Sequence, residues 1–172
     1  ALNIAARQLS LQGTLELAAA AGRSGELNIA SDRVLVADGP RQVDGVLVLD
    51  VAQLNASGAG SLLIGGTRTT AADGGRLAEV VATEVILDNP TIALRLPDLI
   101  LLARDRVMVG DGARVDSTAA PGGPANAEPQ PIEVRGSGAS LRVSAGDAGL
   151  TRGTVGAAGG ELRIGQAAPL VA

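Results

Sequence analysis

Apolar and polar positions alternate in short bursts from one end of the chain to the other. The triplets Leu2-Asn3-Ile4, Leu9-Ser10-Leu11, Leu15-Glu16-Leu17, Leu27-Asn28-Ile29, Val34-Leu35-Val36, Val46-Leu47-Val48, Leu62-Leu63-Ile64, Val85-Ile86-Leu87, Ile92-Ala93-Leu94, Val107-Met108-Val109, Ile132-Glu133-Val134, Leu141-Arg142-Val143 and Leu162-Arg163-Ile164 set the pattern. Successive side chains of an extended strand point to opposite faces, so each triplet predicts a short strand with one apolar edge turned to a core. Ser61 to Ile64 is the clearest case. It is a run of branched side chains between Gly58 and Gly60 on one side and Gly65 and Gly66 on the other, and it predicts a buried strand entered and left through tight turns.

Neighbouring triplets begin about seven or eight residues apart, as in Leu2 to Leu9, Leu27 to Val34 and Val85 to Ile92, and three such strand-and-turn units predict a coil of roughly 20 residues. Internal similarity supports stacking of such coils. Leu2-Asn3-Ile4-Ala5-Ala6 recurs as Leu27-Asn28-Ile29-Ala30-Ser31, and Gly25-Glu26-Leu27-Asn28-Ile29 recurs as Gly160-Glu161-Leu162-Arg163-Ile164. A solenoid pairs each strand with the coils above and below around one narrow interior. On this reading Asn3 and Asn28 stack as a side-chain ladder.

Longer excursions separate some strands, at residues 18–25, 37–45, 65–76 and 117–131. The last holds four prolines and no apolar period, and predicts a surface loop within one β-helical segment spanning 1–172 rather than a domain linker. Helix is expected at most as a turn or two in residues 76–83. Apolar residues on both faces of 46–49 and 99–102 require a cover, either a loop excursion or another domain or chain.

Composition sharpens the picture. The 172 residues contain no Phe, Tyr, Trp, Cys, His or Lys, and all 14 basic residues are Arg. A core without rings must be built from Leu, Ile, Val and Ala, which suits a thin interior. With 46% hydrophobic residues the chain is too apolar for a disordered linker. A net charge of -4 with scattered Arg, and no aromatic platform for bases, argues against nucleic-acid binding. Apolar runs of about five residues fall far short of the roughly twenty that span a bilayer, so no transmembrane segment is expected. Absence of cysteine excludes disulfides and thiolate metal sites and suits passage through an oxidising compartment.

No catalytic, cofactor or metal residue is expected. Nine serines have no His base and no nucleophile elbow, and Ser61 reads as a turn or strand-edge residue. Glycines around it miss the dinucleotide spacing, and without Lys there is no phosphate-binding P-loop. Asp98, Asp105, Asp111 and Asp116, with Arg104, Arg106 and Arg114 nearby, are spaced so as to scatter over turns. They predict a solvated charged rim, with a weak calcium or glycan site as the sharper alternative.

Residues 60–68, 96–103, 109–115 and 136–144 follow one another in an order that resembles the filamentous-haemagglutinin family of large bacterial exoproteins, in particular a C-terminal region found in many of its proteobacterial members. The resemblance runs from about Asp50 to the end. It implies a right-handed parallel β-helix, secreted by two-partner secretion through an outer-membrane transporter and displayed at the cell surface. Residues 109–115 also resemble a hexapeptide coil of left-handed β-helix acyltransferases, which makes a left-handed β-helix the alternative. The function implied is structural, extending or presenting other regions of an adhesin for adhesion or contact-dependent delivery. Its partners would be other domains of the exoprotein, the transporter and a host-surface glycan or protein receptor. The competing readings are a glycan- or receptor-binding module and, further off, a polysaccharide-active β-helix enzyme.

Overall fold

The computed structural model describes residues 2–5, 17, 25–118, 130–153 and 159–171. In chain order the elements are β1 (Leu2–Ala5), β2 (Glu26–Ala30), β3 (Arg33–Ala37), β4 (Leu47–Asp50), α1 (Val51–Ala56), β5 (Ser61–Ile64), β6 (Gly66–Thr70), β7 (Arg76–Val80) and β8 (Glu84–Asp88). There follow β9 (Leu94–Arg95), β10 (Asp98–Ala103), β11 (Arg106–Val109), β12 (Val115–Asp116), β13 (Ile132–Arg135), β14 (Ala139–Ser144), β15 (Leu150–Arg152), β16 (Glu161–Ile164) and β17 (Leu170–Val171). Most of the predicted triplets lie on strands. The exceptions are instructive: residues 92–94 yield only the two-residue β9, and the triplets at 9–11 and 15–17, Leu17 aside, lie outside the described residues.

Four small sheets result. The first has the order β1-β2-β5-β10-β14, the second β16-β11-β8-β3-β4, the third β17-β12-β9 and the fourth β15-β13-β7-β6. Apolar positions meet apolar positions across each ladder. In the first sheet Leu27 lies opposite Leu62 and Ile29 opposite Ile64, and these in turn oppose Leu99 and Leu101. In the second, Val34, Val85 and Val107 form one row and Val36, Leu87 and Val109 the next. A slip of one residue would turn a whole row outward, so the period-two pattern itself fixes the register.

These rows merge into a main core that also takes in Leu94 and Val115 of the third sheet and Val51 and Leu54 of α1. A second, smaller core forms on the opposite face of the first sheet, where Leu63, Ile100 and Leu102 meet Ala78, Ile132 and Val134 of the fourth. Every residue of β10 is therefore buried, and the doubly apolar run at 99–102 is covered from within the chain. The cover comes from strands β7 and β13, through Ala78, Ile132 and Val134, rather than from a loop excursion. On β4, by contrast, Val48 stays half-buried.

A single stack of coils, right-handed or left-handed with roughly 20 residues each, is not what this chain forms. Among the described residues its sheets are separate and none closes, and two ladders are antiparallel, β10 with β14 and β6 with β7. Residues that meet across parallel ladders are separated by 25 for Asn3 and Asn28, 37 for Ser61 and Asp98, 51 for Arg33 and Glu84, and 22 for Glu84 and Arg106. No constant coil length fits that series. The physical reason is that the intervening segments are not all loops: residues 66–80 fold back as a hairpin, and β4 pairs with β3 on the side away from β8. The second internal repeat also divides, since β2 belongs to the first sheet and β16 to the second.

Residues 76–83, the one stretch where a turn or two of helix is allowed by the sequence, begin instead with strand β7 at Arg76–Val80, and α1 lies at Val51–Ala56. Asp50 starts it by accepting a hydrogen bond from Ala52 N at 2.9 Å, and Val51 and Leu54, three apart, bury one face. No helix among the described residues is long and apolar enough to cross a membrane. Of the excursion at 117–131, Ser117, Thr118, Gln130 and Pro131 are described, with Ser117 fully buried; the rest, like residues 18–24, lies outside the described residues.

Gly65 shows why the glycine pair after Ile64 is needed. Its φ is +88°, and a Cβ there would lie 1.9 Å from the carbonyl oxygen of Leu102. The backbone turns at that point from the first sheet into the hairpin of the fourth, with Gly65 N donating to Ile29 O at 2.8 Å and its carbonyl accepting from Val81 N and Ala82 N.

Candidate functional site

Three adjacent strands of the first sheet begin with a polar residue at matching height: Glu26, Ser61 and Asp98 on β2, β5 and β10. They share the face that looks toward the fourth sheet, and arginines from β6, β7 and β14 close on them. Arg142 grips Asp98 with two bonds, Nε to Oδ1 at 2.8 Å and Nη2 to Oδ2 at 3.2 Å, and its Nη1 donates to Gly149 O at 2.9 Å. The Ser61 hydroxyl donates to Asp98 Oδ2 at 2.5 Å and accepts from Arg68 Nη2 at 2.8 Å. Arg68 Nη1 lies 3.7 Å from Glu26 Oε2, while Arg76 Nη1 bonds the other oxygen of Glu26.

The centre of this network is dry. The side chains of Arg68 and Arg142 are each 6% exposed and that of Asp98 is 7% exposed. Three guanidiniums face two carboxylates, leaving one surplus positive charge. Burial pushes the Glu26 carboxyl up, but the bond from Arg76 and the charge of Arg68 outweigh it and hold the group below its ordinary value. Burial, aided by repulsion from Arg76 and Arg142, pulls Arg68 below the usual guanidinium range despite the attraction of Glu26 and Asp98. Nε and Nη1 of Arg68 have no hydrogen-bond acceptor among the described residues.

A second charged array runs across the outer face of the second sheet. Arg33, Glu84, Arg106 and Glu161 oppose one another in order on β3, β8, β11 and β16. Arg33 donates to Glu84 Oε2 from Nη2 at 2.9 Å and from Nε at 3.3 Å, and Arg106 donates to Oε1 from Nε at 2.9 Å and from Nη2. The bonds from Arg106, and then from Arg33, hold the Glu84 carboxyl below its ordinary value against the opposing effect of burial. A shallow cleft of about 340 Å³ lies here, lined by Arg33, Thr83, Glu84, Asp105, Arg106 and Glu161. With both oxygens engaged by guanidinium forks, Glu84 is a poor base and a poor nucleophile. Its geometry is that of a cross-strand clamp.

The predicted acidic set is dispersed. Asp98 is in the buried network, and Asp105 lies in the turn between β10 and β11. Asp111 accepts from Gln166 N at 2.8 Å, and Asp116 accepts from both the backbone and the hydroxyl of Thr118. Arg104 reaches Thr83 and Asp32, while Arg106 belongs to the outer clamp and the carbonyl of Arg114 accepts from Asn89 Nδ2. Among the described residues, no group of three or more His, Cys, Asp or Glu side chains is placed to hold a metal ion. The expected amide ladder does form, with Asn28 Nδ2 donating to Asn3 Oδ1 at 2.6 Å. Sequence reasoning gave no role to Glu26, Arg33, Arg68, Arg76, Glu84 or Arg142. The one available signal was a charged or hydroxyl residue at the first position of successive strands, ahead of an apolar triplet.

Both arrays join strands to strands. No family model, no curated protein and no solved structure matches this chain.

Proposed function

We infer that the chain is a structural segment of a secreted, cell-surface exoprotein of the filamentous-haemagglutinin kind, which extends or presents other regions for adhesion or contact-dependent delivery. The observation that supports this reading is the way the charges are used. Glu84 is clamped from both sides by Arg33 and Arg106, and Asp98 by Arg142 and Ser61, so the polar groups with the best geometry tie neighbouring strands together. Aliphatic rows in strict register do the same on the inner faces. Such a body resists deformation, which is the property a presenting segment needs.

The test is a display experiment. The chain is placed between a surface anchor and a reporter binding module on a bacterial cell, and compared with a glycine-serine linker of equal residue number. The linker samples a broad range of spans about an r.m.s. value of roughly 70 Å, whereas a rigid segment holds the module at one span. The distance distribution between fluorophores on anchor and module is therefore narrow for the chain and broad for the linker. Equally broad distributions would refute the reading.

A further inference from the structure

The inward rows of the second sheet do not stop at β11. Leu162 lies in register with Val107 and Ile164 with Val109, yet the two valines are fully buried while Leu162 and Ile164 are 43% and 50% exposed. Among the described residues β16 has only β11 as a neighbour. Leu141, Ala168 and Leu170, packed against the main core at the same end, are only partly buried. Among the described residues the core is thus open beside a strand whose outer edge is unpaired.

The backbone of that edge restricts what can pair with it. Glu161 N donates to Asp105 O and Gly165 N to Val109 O, both at 2.7 Å, so the odd-numbered residues point their amides at β11. Leu162 and Ile164 therefore turn their N–H and C=O groups outward. We propose that β16 is a self-association edge, which pairs antiparallel with β16 of a second copy of this chain about a two-fold axis at Leu162.

Charge selects that register. Hydrogen-bonded antiparallel pairing requires an outward-pointing residue opposite another, so Leu162 meets either Leu162 or Ile164 of the other copy. The second option sets Arg163 against Arg163, a like-charge pair at close range. The first sets Glu161 against Arg163 twice, once on each side of the axis, on the outer face. The axis stands perpendicular to the sheet, so inward rows stay inward and the two open cores cover each other. An isologous contact of this kind closes at two copies.

Sedimentation velocity on the full 172-residue chain tests the proposal. A dimer of twice 17.0 kDa is expected. Arg163→Glu turns both cross-copy attractions into repulsions and should weaken the dimer by about tenfold or more in Kd. Adding Glu161→Arg to that variant restores both pairs and should recover most of the affinity. Leu162→Asp should give monomer with an unchanged β-type circular dichroism spectrum. A wild-type chain that is monomeric at all concentrations, oligomers that grow beyond two, or a double variant no tighter than Arg163→Glu alone would each overturn it.

Discussion

Replacing Asp98 by Asn should be the most damaging single polar substitution in the chain, and removing Arg68 should partly repair it. Asp98 accepts two bonds from Arg142 and one from Ser61 while its side chain is 7% exposed. The amide keeps the shape and loses the charge, so the buried network moves from one surplus positive charge to two. Breaking a buried pair by neutralising one partner costs about 3–5 kcal/mol. For a chain of this size that corresponds to a fall of roughly 6–20 °C in Tm.

Arg68→Met works the other way. It gives up the bond to Ser61 and the 3.7 Å contact with Glu26, together about 1–2 kcal/mol. It also removes two buried N–H groups without acceptors among the described residues, each of which costs about 1–3 kcal/mol to bury. On these figures Arg68→Met is neutral to stabilising, by about 0–5 kcal/mol, and the Asp98→Asn, Arg68→Met double variant returns the network to a single surplus charge. Thermal and urea unfolding followed by circular dichroism at pH 7 measures all three. If Arg68→Met is as damaging as Asp98→Asn, or the double variant falls by the sum of the singles, surplus buried charge is not what governs this region.

Acid should weaken the fold in a defined window. Glu26 and Glu84 are both held below their ordinary value of 4.5; a carboxyl with a lowered folded pKa contributes stability above its unfolded value and loses it as the pH falls through the folded one. Tm should therefore be level from neutral pH down to about 5 and drop below that, and Glu84→Gln, lower at pH 7, should show the shallower drop in a pH series of melts. Ile100→Ala opens a cavity between the first and fourth sheets and should cost about 2–5 kcal/mol in urea unfolding. Gly65→Ala should be far worse than Gly39→Ala, because both glycines have positive φ but nothing lies within 4 Å of a Cβ at Gly39; similar unfolding midpoints would show that the approach of Leu102 O is relieved without strain. Asp50→Ala should cost about 1 kcal/mol by removing the cap of α1, read from the same unfolding curves.

Legibility stopped at the strand. A period of two reports that Leu62 and Ile64 face one way and Leu63 the other, and the same holds for Leu27 and Ile29, Val34 and Val36, Val85 and Leu87, and Val107 and Val109. On β4 it fails, because Leu47 and Leu49 enter the core in place of Val46 and Val48. It carries no information about which strands become neighbours. Val34 pairs with Val85 across a segment that contains a strand on the far side, a helix and a hairpin, and nothing local distinguishes that partner from a nearer triplet. The excursion at 65–76 read as a loop because Thr67, Arg68, Thr69 and Thr70 have no apolar alternation; they form β6 because pairing with β7 satisfies their backbone, the three threonines staying partly or fully exposed while the Arg68 side chain is buried among charges rather than in an apolar row.

The same distinction explains the charged network. Ser61 looked like a strand-edge residue because its flanks are glycine and leucine, and locally that is what it is. Its polar partners come from 7 residues away in Arg68 and 37 away in Asp98. Their meeting depends on the hairpin folding over the first sheet, a long-range event set by Gly65 and Gly66. Residues 58–68 are therefore more than a buried strand between turns. Glycine frees the backbone to leave the first sheet, and within three residues that backbone delivers Arg68 to the serine at the start of the strand it has just left. The turn and the buried charge are parts of one device, and a substitution at Gly65 should disturb the Asp98 network before it disturbs the aliphatic rows.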